Sequence, residues 1–448
     1  MNLYELTLTE AAAAIRRREI SPVDLVDALL GRIQAVEPRV QAWALVDRDG
    51  ARAAARKLAD EAGAGAFRGP LHGVPFAAKD IFYSAGLPTE AGSQVYAGFV
   101  PGYDATTVAR LKAAGGILLG KTHTTEFATR DPAPTRNPWN LSHTPGGSSS
   151  GSVAAVAARM VGAAFGSQTI GSTLRPASYC GLVALKATFG RISLHGVVPL
   201  AWTQDHVGLI ARSVEDVTLL LQLTAGPDRQ DPSSSREPVP DYRAALEQRR
   251  PPRVGLLRDY FFERADAEVI RVTNDAVDRL ARAGAAVEEA KLPPGFAAVH
   301  SASWTIIQVE AAAFHADLHA KKADLYRPLI RAIIEVGSLI PGELYLRSLR
   351  IRRRFRREME PLLKQFDVLL TPTTVTPAPE GLGSTGDPAF QTPWTMSGLP
   401  TITLPCGFSG SGLPLGIQLI AGPFAEPSLL SAAAWCEELL GRAPAPPL

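Results

Sequence analysis

Two segments rich in glycine and serine and one isolated lysine have the residue types needed for nucleophilic catalysis. Residues 144–153 read Thr-Pro-Gly-Gly-Ser-Ser-Ser-Gly-Ser-Val, and residues 166–181 read Gly-Ser-Gln-Thr-Ile-Gly-Ser-Thr-Leu-Arg-Pro-Ala-Ser-Tyr-Cys-Gly. Lys79 lies in an apolar stretch, residues 73–82, that would bury its aliphatic stem. Ordinary turns would explain either segment alone. They explain poorly two such segments, each followed by a helix of small residues.

These features together predict an acyl-transfer site. A serine hydroxyl is a weak nucleophile until a base takes its proton. A lysine is such a base only when it is neutral, and burial lowers its pKa from about 10.4 because it disfavours the charged form. A second serine can pass the proton between them, because a hydroxyl both donates and accepts. Glycines beside the nucleophile allow backbone N–H groups to approach a developing oxyanion.

Two well-known motifs match the sequence in the wrong structural context. Residues 115–122 fit the phosphate-loop pattern G-x-x-x-x-G-K-[ST], but Gly115 stands where a helix ends and residues 117–119 are predicted to be a strand. Residues 147–151 fit the nucleophile-elbow pattern G-x-S-x-G, but residues 131–146 contain four prolines and no apolar run that would form the preceding strand. We therefore expect neither a nucleotide site nor an α/β-hydrolase triad.

The elements that must position these residues follow from hydrophobic spacing and from cap signals. A helix is predicted to begin after Ser21, a good N-cap, and to end at Pro38. Residues 70–125 alternate short apolar runs with helical stretches, which indicates a sheet with helices packed against it. Further strands are predicted at 253–257, 366–371 and 401–405, and helices at 265–284 and over most of 300–366.

The domain organisation is predicted from length and from the absence of linkers. The chain has 448 residues, which favours two or three domains because a single core rarely grows beyond about 250–300 residues. No internal repeat and no flexible linker marks a boundary, so we expect one domain over residues 1–448. Within it we distinguish a helical segment at 1–65, a core at 66–215 with the Gly/Ser-rich segments, and the remainder at 226–448.

Composition excludes several classes of function. The formal net charge is +2, so no charge excess favours nucleic acid as a partner. No uncharged apolar run reaches about 18–20 residues, and the N-terminus lacks the pattern of a signal peptide, so we expect a cytoplasmic protein that binds no membrane. The histidines include no His-Glu-x-x-His zinc motif. Neither a disulfide framework nor a Cys-x-x-Cys pair is formed by Cys180, Cys406 and Cys436.

At the Gly/Ser-rich segments the sequence resembles the amidase signature family, and the resemblance covers nearly the whole chain. It is most specific over residues 143–191, and it runs from Gly-Pro-Leu-His-Gly-Val-Pro at 69–75 to Leu-Pro-Leu-Gly-Ile-Gln-Leu-Ile at 413–420. Other segments similar to the family are 120–128, 137–140, 205–208, 212–216, 225–228 and 398–401.

The resemblance implies an α/β fold with one large, twisted, mostly parallel mixed sheet that helices cover on both faces. It also implies a Ser–cis-Ser–Lys triad. The family nucleophile falls on Ser172, the relay serine with its cis peptide bond falls on Ser148, and the lysine falls on Lys79. The family's oxyanion hole falls on the backbone N–H groups of Thr169, Ile170, Gly171 and Ser172. No metal and no organic cofactor is needed.

The implied activity is hydrolysis of a C–N bond in an amide, or of a carbamate or ester close to one, through a Ser172 acyl-enzyme. Ser148 would take the proton of Ser172 and give its own to neutral Lys79. The implied partner is a small-molecule substrate, and we expect a monomer or a homodimer. An alternative is the glutamine-hydrolysing subunit of a transfer RNA-dependent amidotransferase, which passes ammonia to a partner protein. A non-catalytic homologue is disfavoured because all three triad residues are present.

The sequence departs from the family pattern at three positions near the nucleophile, and the first is Gln168, which replaces an aspartate. Ile170 replaces a glycine, and a β-branched residue resists positive φ, so we expect this position to have negative φ or to be strained. The usual arginine two residues after the nucleophile is displaced, because Leu174 stands there and Arg175 follows. Arg175 either holds carbonyl groups of the nearby loop or meets an anionic group of the substrate.

Aromatic residues are the main candidates for the walls of a substrate pocket. Such walls favour a neutral substrate with apolar or aromatic groups. If Arg175 faced the cavity, a small dicarboxylic half-amide would fit better, because guanidinium binds a carboxylate in a bidentate fork. The candidate pocket residues are Phe127, Trp139, Arg175, Gln204, Trp304 and Trp394.

Overall fold

The computed structural model describes residues 2–448, and within them eleven strands pair into one sheet. Their order across the sheet is β1-β3-β2-β4-β6-β5-β10-β11-β9-β7-β8, where the numbers follow the chain. The strands are β1 (Trp43–Val46), β2 (Pro75–Lys79), β3 (Ile117–Thr122), β4 (Ala163–Gln168), β5 (Val183–Lys186), β6 (His206–Ala211), β7 (Arg253–Leu257), β8 (Ala286–Ala290), β9 (Val368–Pro372), β10 (Thr401–Phe408) and β11 (Pro414–Ile420).

The sheet is mixed, as expected, but antiparallel pairings outnumber parallel ones in the described chain. Six pairings are antiparallel and four are parallel. The expectation of a mostly parallel sheet was therefore wrong. A parallel pair needs a crossover connection, whereas β10 and β11 are joined by a short hairpin turn, which forces antiparallel pairing.

Fourteen α-helices complete the fold of residues 2–448, and several of them contact the central strands. No helix among these residues is long and apolar enough to cross a membrane. The helices are α1 (Leu8–Arg16), α2 (Pro22–Val40), α3 (Arg48–Gly63), α4 (Thr106–Ala113), α5 (Ser150–Ala157), α6 (Leu174–Tyr179), α7 (Val214–Thr224), α8 (Phe261–Arg264), α9 (Ala267–Arg282), α10 (Val299–Lys322), α11 (Pro328–Leu339), α12 (Gly342–Gln365), α13 (Thr392–Met396) and α14 (Glu426–Leu440).

Helix α2 begins where its cap signals predict and ends later than predicted. Ser21 and Asp24 form a reciprocal capping box, which satisfies two backbone N–H groups at the first turn. The helix passes through Pro38 to Val40, although Pro38 was predicted to end it. The last turn still closes, because the backbone N–H of Gln41 donates to the carbonyl of Glu37 at 2.9 Å.

The two misleading motifs have the structures that their contexts predict. Gly115 has φ 91° and follows α4, and the next residues form strand β3, so residues 115–122 do not cradle a phosphate. Lys121 of that motif is fully buried and pairs with Asp80 at 3.1 Å. No strand precedes residues 147–151, since the described residues between β3 and α5 form only loops and one short 3₁₀ turn.

Glycine at position 151 is a requirement of the packing between α5 and the first strands. A Cβ atom there would overlap the backbone carbonyl of Ala42 and the backbone nitrogen of His123. Gly31 in α2 is the matched case, because nothing lies within 4 Å of a Cβ built there.

We predict that Gly151→Ala lowers the free energy of unfolding by about 1–3 kcal/mol. The added Cβ would overlap backbone atoms, which can make room for it only with strain. Gly31→Ala should instead raise the free energy of unfolding by about 0.5–1 kcal/mol, because alanine favours a helix. Urea unfolding followed by circular dichroism measures both changes. Equal effects of the two substitutions would contradict the packing that the structure shows.

Candidate active site

Lys79 is a buried lysine at the end of strand β2. The strand is buried along its whole length, between β3 and β4, and Lys79 is 0% exposed. Its Nζ atom lies 2.7 Å from Oγ of Ser148 and 2.8 Å from Oγ of Ser167. Burial lowers the pKa of Lys79 well below its ordinary value, although the negative charge of Asp205 opposes the shift. The surroundings therefore favour the neutral amine, which can accept a proton.

Ser148 lies in the loop that precedes helix α5. The peptide bond between Gly147 and Ser148 is cis, as the resemblance to the amidase signature family implies. Gly146 has φ 81°, and its carbonyl accepts a hydrogen bond of 2.7 Å from the Ser150 hydroxyl. The backbone carbonyl of Ser148 accepts from the N–H of Thr125 at 3.2 Å. These bonds fix the Ser148 hydroxyl beside the amine of Lys79.

Ser172 lies in the loop between β4 and α6, and it lines a cavity of about 550 Å³. Its carbonyl accepts a hydrogen bond of 3.2 Å from the backbone N–H of Ser149. This bond joins the loop of Ser172 to the loop of Ser148. The structure thus brings together both serine loops and Lys79.

The loop that carries Ser172 borders the cavity with residues 169–172. The N–H groups of residues 170–172 donate to no acceptor within residues 2–448, and all three residues line the cavity. Ile170 is not among the residues with positive φ, so it avoids the strained conformation. A Cβ at position 171 would lie 2.6 Å from Oε1 of Gln391, so a larger residue there would require the Gln391 side chain to move.

Gln168 and Thr395 fix the shape of this loop. The side-chain oxygen of Gln168 accepts from the backbone N–H groups of Thr173 and Leu174, each at 3.0 Å. Its Nε2 donates to Oγ1 of Thr395 at 2.9 Å, and the hydroxyl of Thr395 donates to the carbonyl of Ile170. Gln168 stands where the family usually has an aspartate, and its amide supplies both an acceptor and a donor.

The carboxylate of Asp205 holds the same loop through a hydrogen bond from Thr169. Its carboxylate accepts hydrogen bonds from the hydroxyl of Thr169, which also lines the cavity, at 2.6 Å and from the N–H groups of Leu200 and Ala201 at 2.8 and 3.0 Å. Burial raises the pKa of Asp205 to about 6, although these hydrogen bonds lower it. The carboxylate is already occupied by three donors and forms no direct ion pair with Lys79.

The cavity has one apolar wall and one charged wall. The apolar residues pack together in a small cluster with the side chain of Ile170. Among the polar residues of the lining, Arg264 and Asp387 form an ion pair of 3.5 Å, and the guanidinium carbon of Arg264 lies 5.2 Å from the ring centroid of Tyr260. Residues on the apolar wall are Ile170, Leu200, Trp304, Ile307 and Ile333, and those on the charged wall are Arg130, Tyr260, Arg264, His300 and Asp387.

The structure places three of the six predicted pocket residues at or directly behind the cavity. Trp304 and Arg175 line it. Gln204 lies behind it, and its amide exchanges hydrogen bonds with Ser303, which lines the cavity. Arg175 donates to the carbonyl of Gly147 at 2.6 Å and to Oγ1 of Thr385 at 3.2 Å. Burial lowers the pKa of Arg175 to about 10.

The other three predicted pocket residues lie outside the cavity wall. Phe127 has φ 45°, and its ring packs against Tyr96 and His315. The next three residues, 128–130, line the cavity in its place. Trp139 donates from Nε1 to the carbonyl of Cys180 at 2.9 Å. Trp394 is 0% exposed and stacks on Phe261. Each of these rings is used in packing.

Sequence reasoning missed several residues of the site. Ser167 and Asp205 both lie in segments that resemble the family, so their hydroxyl and carboxylate groups could have been found there. Tyr260, Arg264 and Asp387 come from distant parts of the chain, and no local pattern marks them. Among residues 2–448, no group of three or more His, Cys, Asp or Glu side chains is arranged to hold a metal ion.

The fold and this site define an α/β enzyme in which Ser172 lines a cavity and its loop joins the loop of Ser148, whose hydroxyl contacts the buried Lys79. The amidase family model matches residues 24–430, so the chain belongs to the amidase signature family. It is therefore an amidohydrolase that acts on carbon–nitrogen bonds.

Three similar proteins illustrate the range of this family. A protein of Moorella thermoacetica, named as one of the subunits of glutamyl-tRNA(Gln) amidotransferase, is 38% identical over 469 residues, which cover 97% of this chain and 96% of that protein. A structure described as a vestigial protein complex that reveals the origins of an s-triazine catabolic enzyme has a TM-score of 0.92, 31% identity and coverage of 98% and 100%. The peptide amidase of Stenotrophomonas maltophilia has a TM-score of 0.85, 30% identity and coverage of 99% and 98%.

We predict that Arg175→Met destabilises the protein by about 1–3 kcal/mol, because the buried carbonyl of Gly147 loses its donor. Turnover should fall by the same factor for a neutral amide and for a carboxylate-bearing amide. Thermal unfolding and kcat/KM for the two substrates measure these effects. Arg56→Met is the control, since Arg56 is exposed and does not line the cavity. A loss confined to the anionic substrate would mean that Arg175 binds substrate.

Proposed function

We propose that this enzyme hydrolyses a carboxamide through an acyl-enzyme on Ser172, with Ser148 as the proton relay and Lys79 as the base. The observation that carries the proposal is the contact of 2.7 Å between the Lys79 amine and the Ser148 hydroxyl in a fully buried place. A lysine in that environment is neutral, and therefore able to act as a base, at a lower pH than an exposed lysine.

The reaction follows from the order of these groups. Ser172 passes its proton to Ser148, Ser148 passes its own to Lys79, and Oγ of Ser172 forms a bond to the amide carbon. The oxyanion accepts hydrogen bonds from the free N–H groups of residues 170–172. The relay then returns the proton to the nitrogen of the leaving group, and the C–N bond breaks. Water, activated by the same relay, releases the acid and restores Ser172.

We propose glutamine as the substrate, with this chain as the glutaminase component of an amidotransferase. The charged wall supports this, because Asp387 can pair with an α-ammonium while Arg264 or Arg130 pairs with an α-carboxylate. The side-chain amide would then reach Ser172. The Moorella thermoacetica relative, matched over nearly its whole length, is by its name part of such an enzyme, which supports a protein partner that receives the ammonia.

The proposed location of the enzyme is the cytoplasm. The cysteines are free and buried, which suits a reducing cytoplasm.

A second candidate is a free-standing hydrolase of neutral apolar amides or carbamates. The specific observation in its favour is the apolar wall beside Ser172. Ile170 stands next to the free N–H groups and packs with Trp304, and Ile307 and Ile333 continue the same surface. Such a wall would contact an aryl or alkyl group on the carbonyl side of the substrate.

The two candidates differ in their dependence on Asp387. For a glutaminase, Asp387→Asn should lower kcat/KM for L-glutamine by about 10–100-fold, because a charge-assisted hydrogen bond is lost. Turnover of hexanamide should be unchanged. Ammonia release measures both reactions. Glu380→Gln is the matched control, since it removes one exposed carboxylate that does not line the cavity. Turnover of hexanamide or a phenyl carbamate without turnover of glutamine would favour the second candidate.

The role of Lys79 predicts the pH dependence of turnover. Because burial lowers the pKa of Lys79 from 10.5, the base is neutral above the lowered pKa and protonated below it. We therefore expect kcat/KM to rise as the pH rises through that value and to level off well below pH 10.5. Lys79→Met should lose about 10²–10⁴-fold or more and flatten the profile.

The identity of the nucleophile is tested with Ser172→Ala. This variant should have no turnover and no labelling by a serine-directed sulfonyl fluoride, while its thermal unfolding stays unchanged. Adduct formation on the alanine variant, detected by mass spectrometry, would show that another serine is the nucleophile. A Lys79→Met variant with the activity of the native protein would remove the lysine from the mechanism.

A further inference from the structure

The amine of Lys79 contacts two hydroxyl groups, and the mechanism uses only one of them. Its Nζ atom lies 2.7 Å from Oγ of Ser148 and 2.8 Å from Oγ of Ser167. A neutral amine has one lone pair and two N–H groups. If the lone pair accepts the proton of Ser148, both N–H groups must point elsewhere. Oγ of Ser167 is the acceptor that the structure provides for one of them.

Ser167 is itself held firmly in place. It lies on β4, which pairs in parallel with β2, the strand that ends at Lys79. Its backbone N–H donates to Oγ of Ser149 at 3.1 Å, and the hydroxyl of Ser149 donates back to the Ser167 carbonyl at 3.3 Å. Ser167 is 5% exposed and does not line the cavity, so it does not touch the substrate.

We propose that Ser167 is a positioning residue that accepts an N–H of neutral Lys79 and thereby aims the lone pair of the amine at Ser148. This inference rests on the proposed acyl-enzyme mechanism, but it holds for either candidate substrate. When the relay delivers its proton, the resulting ammonium donates to both serines, so Ser167 also stabilises the charged form. The negative charge that acts on this amine is that of Asp205, which stays in place when Ser167 changes.

Two effects of Ser167→Ala follow. Without its acceptor the amine rotates among several orientations, so kcat should fall by about 10–100-fold while KM is unchanged. The ammonium also loses one acceptor, so the midpoint of the pH profile should move to lower pH. A purely structural role predicts the opposite shift, because a loosened site would admit water and raise the pKa of the lysine.

Ser152→Ala is the matched control for the loss of a buried hydroxyl. Ser152 is 0% exposed and its hydroxyl donates to the carbonyl of Phe165 at 2.9 Å. Lys79 is not among its hydrogen-bond partners. We expect this variant to lose some thermal stability and to keep the pH profile and kcat of the native protein. Ser167→Thr, which keeps a hydroxyl, should restore most of the activity if it unfolds at the native temperature.

The experiment measures kcat, KM and the pH profile of the full chain with hexanamide or L-glutamine, whichever the native protein turns over faster. The rate of Ser172 labelling by phenylmethanesulfonyl fluoride at each pH gives a second readout that needs no turnover. A lower kcat with the midpoint at lower pH supports the proposal. An unchanged kcat, or a midpoint at higher pH, overturns it. If Lys79→Met also keeps native activity, the acyl-enzyme mechanism itself fails, whatever Ser167→Ala does.

Discussion

The site depends on the burial of one lysine amine among hydroxyl groups instead of beside a carboxylate. A second buried lysine on the neighbouring strand shows the contrast. Lys121 is also 0% exposed, but it pairs with Asp80 at 3.1 Å, and the negative charge of Asp80 opposes the lowering of its pKa by burial. Lys79 contacts two serine hydroxyls and no carboxylate. The two buried lysines therefore differ in the partners of their amines, and only Lys79 fits the proposed role of a base.

The central strands and the two serine loops create this environment. Strands β2 and β4 lie side by side in parallel, so Lys79 and Ser167 meet near the same end of the sheet. The chain then leaves β4 and forms the loop that carries Ser172, while the loop before α5 brings the Ser148 hydroxyl to the Lys79 amine. Asp205 takes hydrogen bonds from three donors of the surrounding loops, which keeps its charge near the amine without an ion pair. Helices from the second half of the chain then close the cavity around the serine loops.

The sequence alone led to the candidate residues that are local in the chain. The Gly/Ser-rich segments and the apolar stretch around Lys79 indicated the chemistry, because each feature is encoded by neighbouring residues. The pocket was predicted poorly for a physical reason. Phe127 and Trp394 are large apolar rings whose burial in packing stabilises the fold, and composition does not distinguish that use from a pocket wall. Arg264 and Asp387 meet across more than a hundred residues of sequence, so only the tertiary structure reveals their pair. The expectation of a mostly parallel sheet was wrong for a similar reason, because the direction of neighbouring strands depends on how strands distant in sequence pair.

The most direct test of this account is the pKa of the Lys79 amine itself. The chain has nine lysines, so labelling them with ¹³C at Cε gives a spectrum that can be titrated by NMR, and the Lys79→Met variant identifies the Lys79 signal. Assignment is essential, because burial also lowers the pKa of Lys186, to about 7. The account predicts that the Lys79 signal titrates well below 10.5, or stays neutral over the range in which the protein is folded. A Lys79 signal that remains that of a charged ammonium up to about pH 10, as for an ordinary lysine, would contradict the central claim.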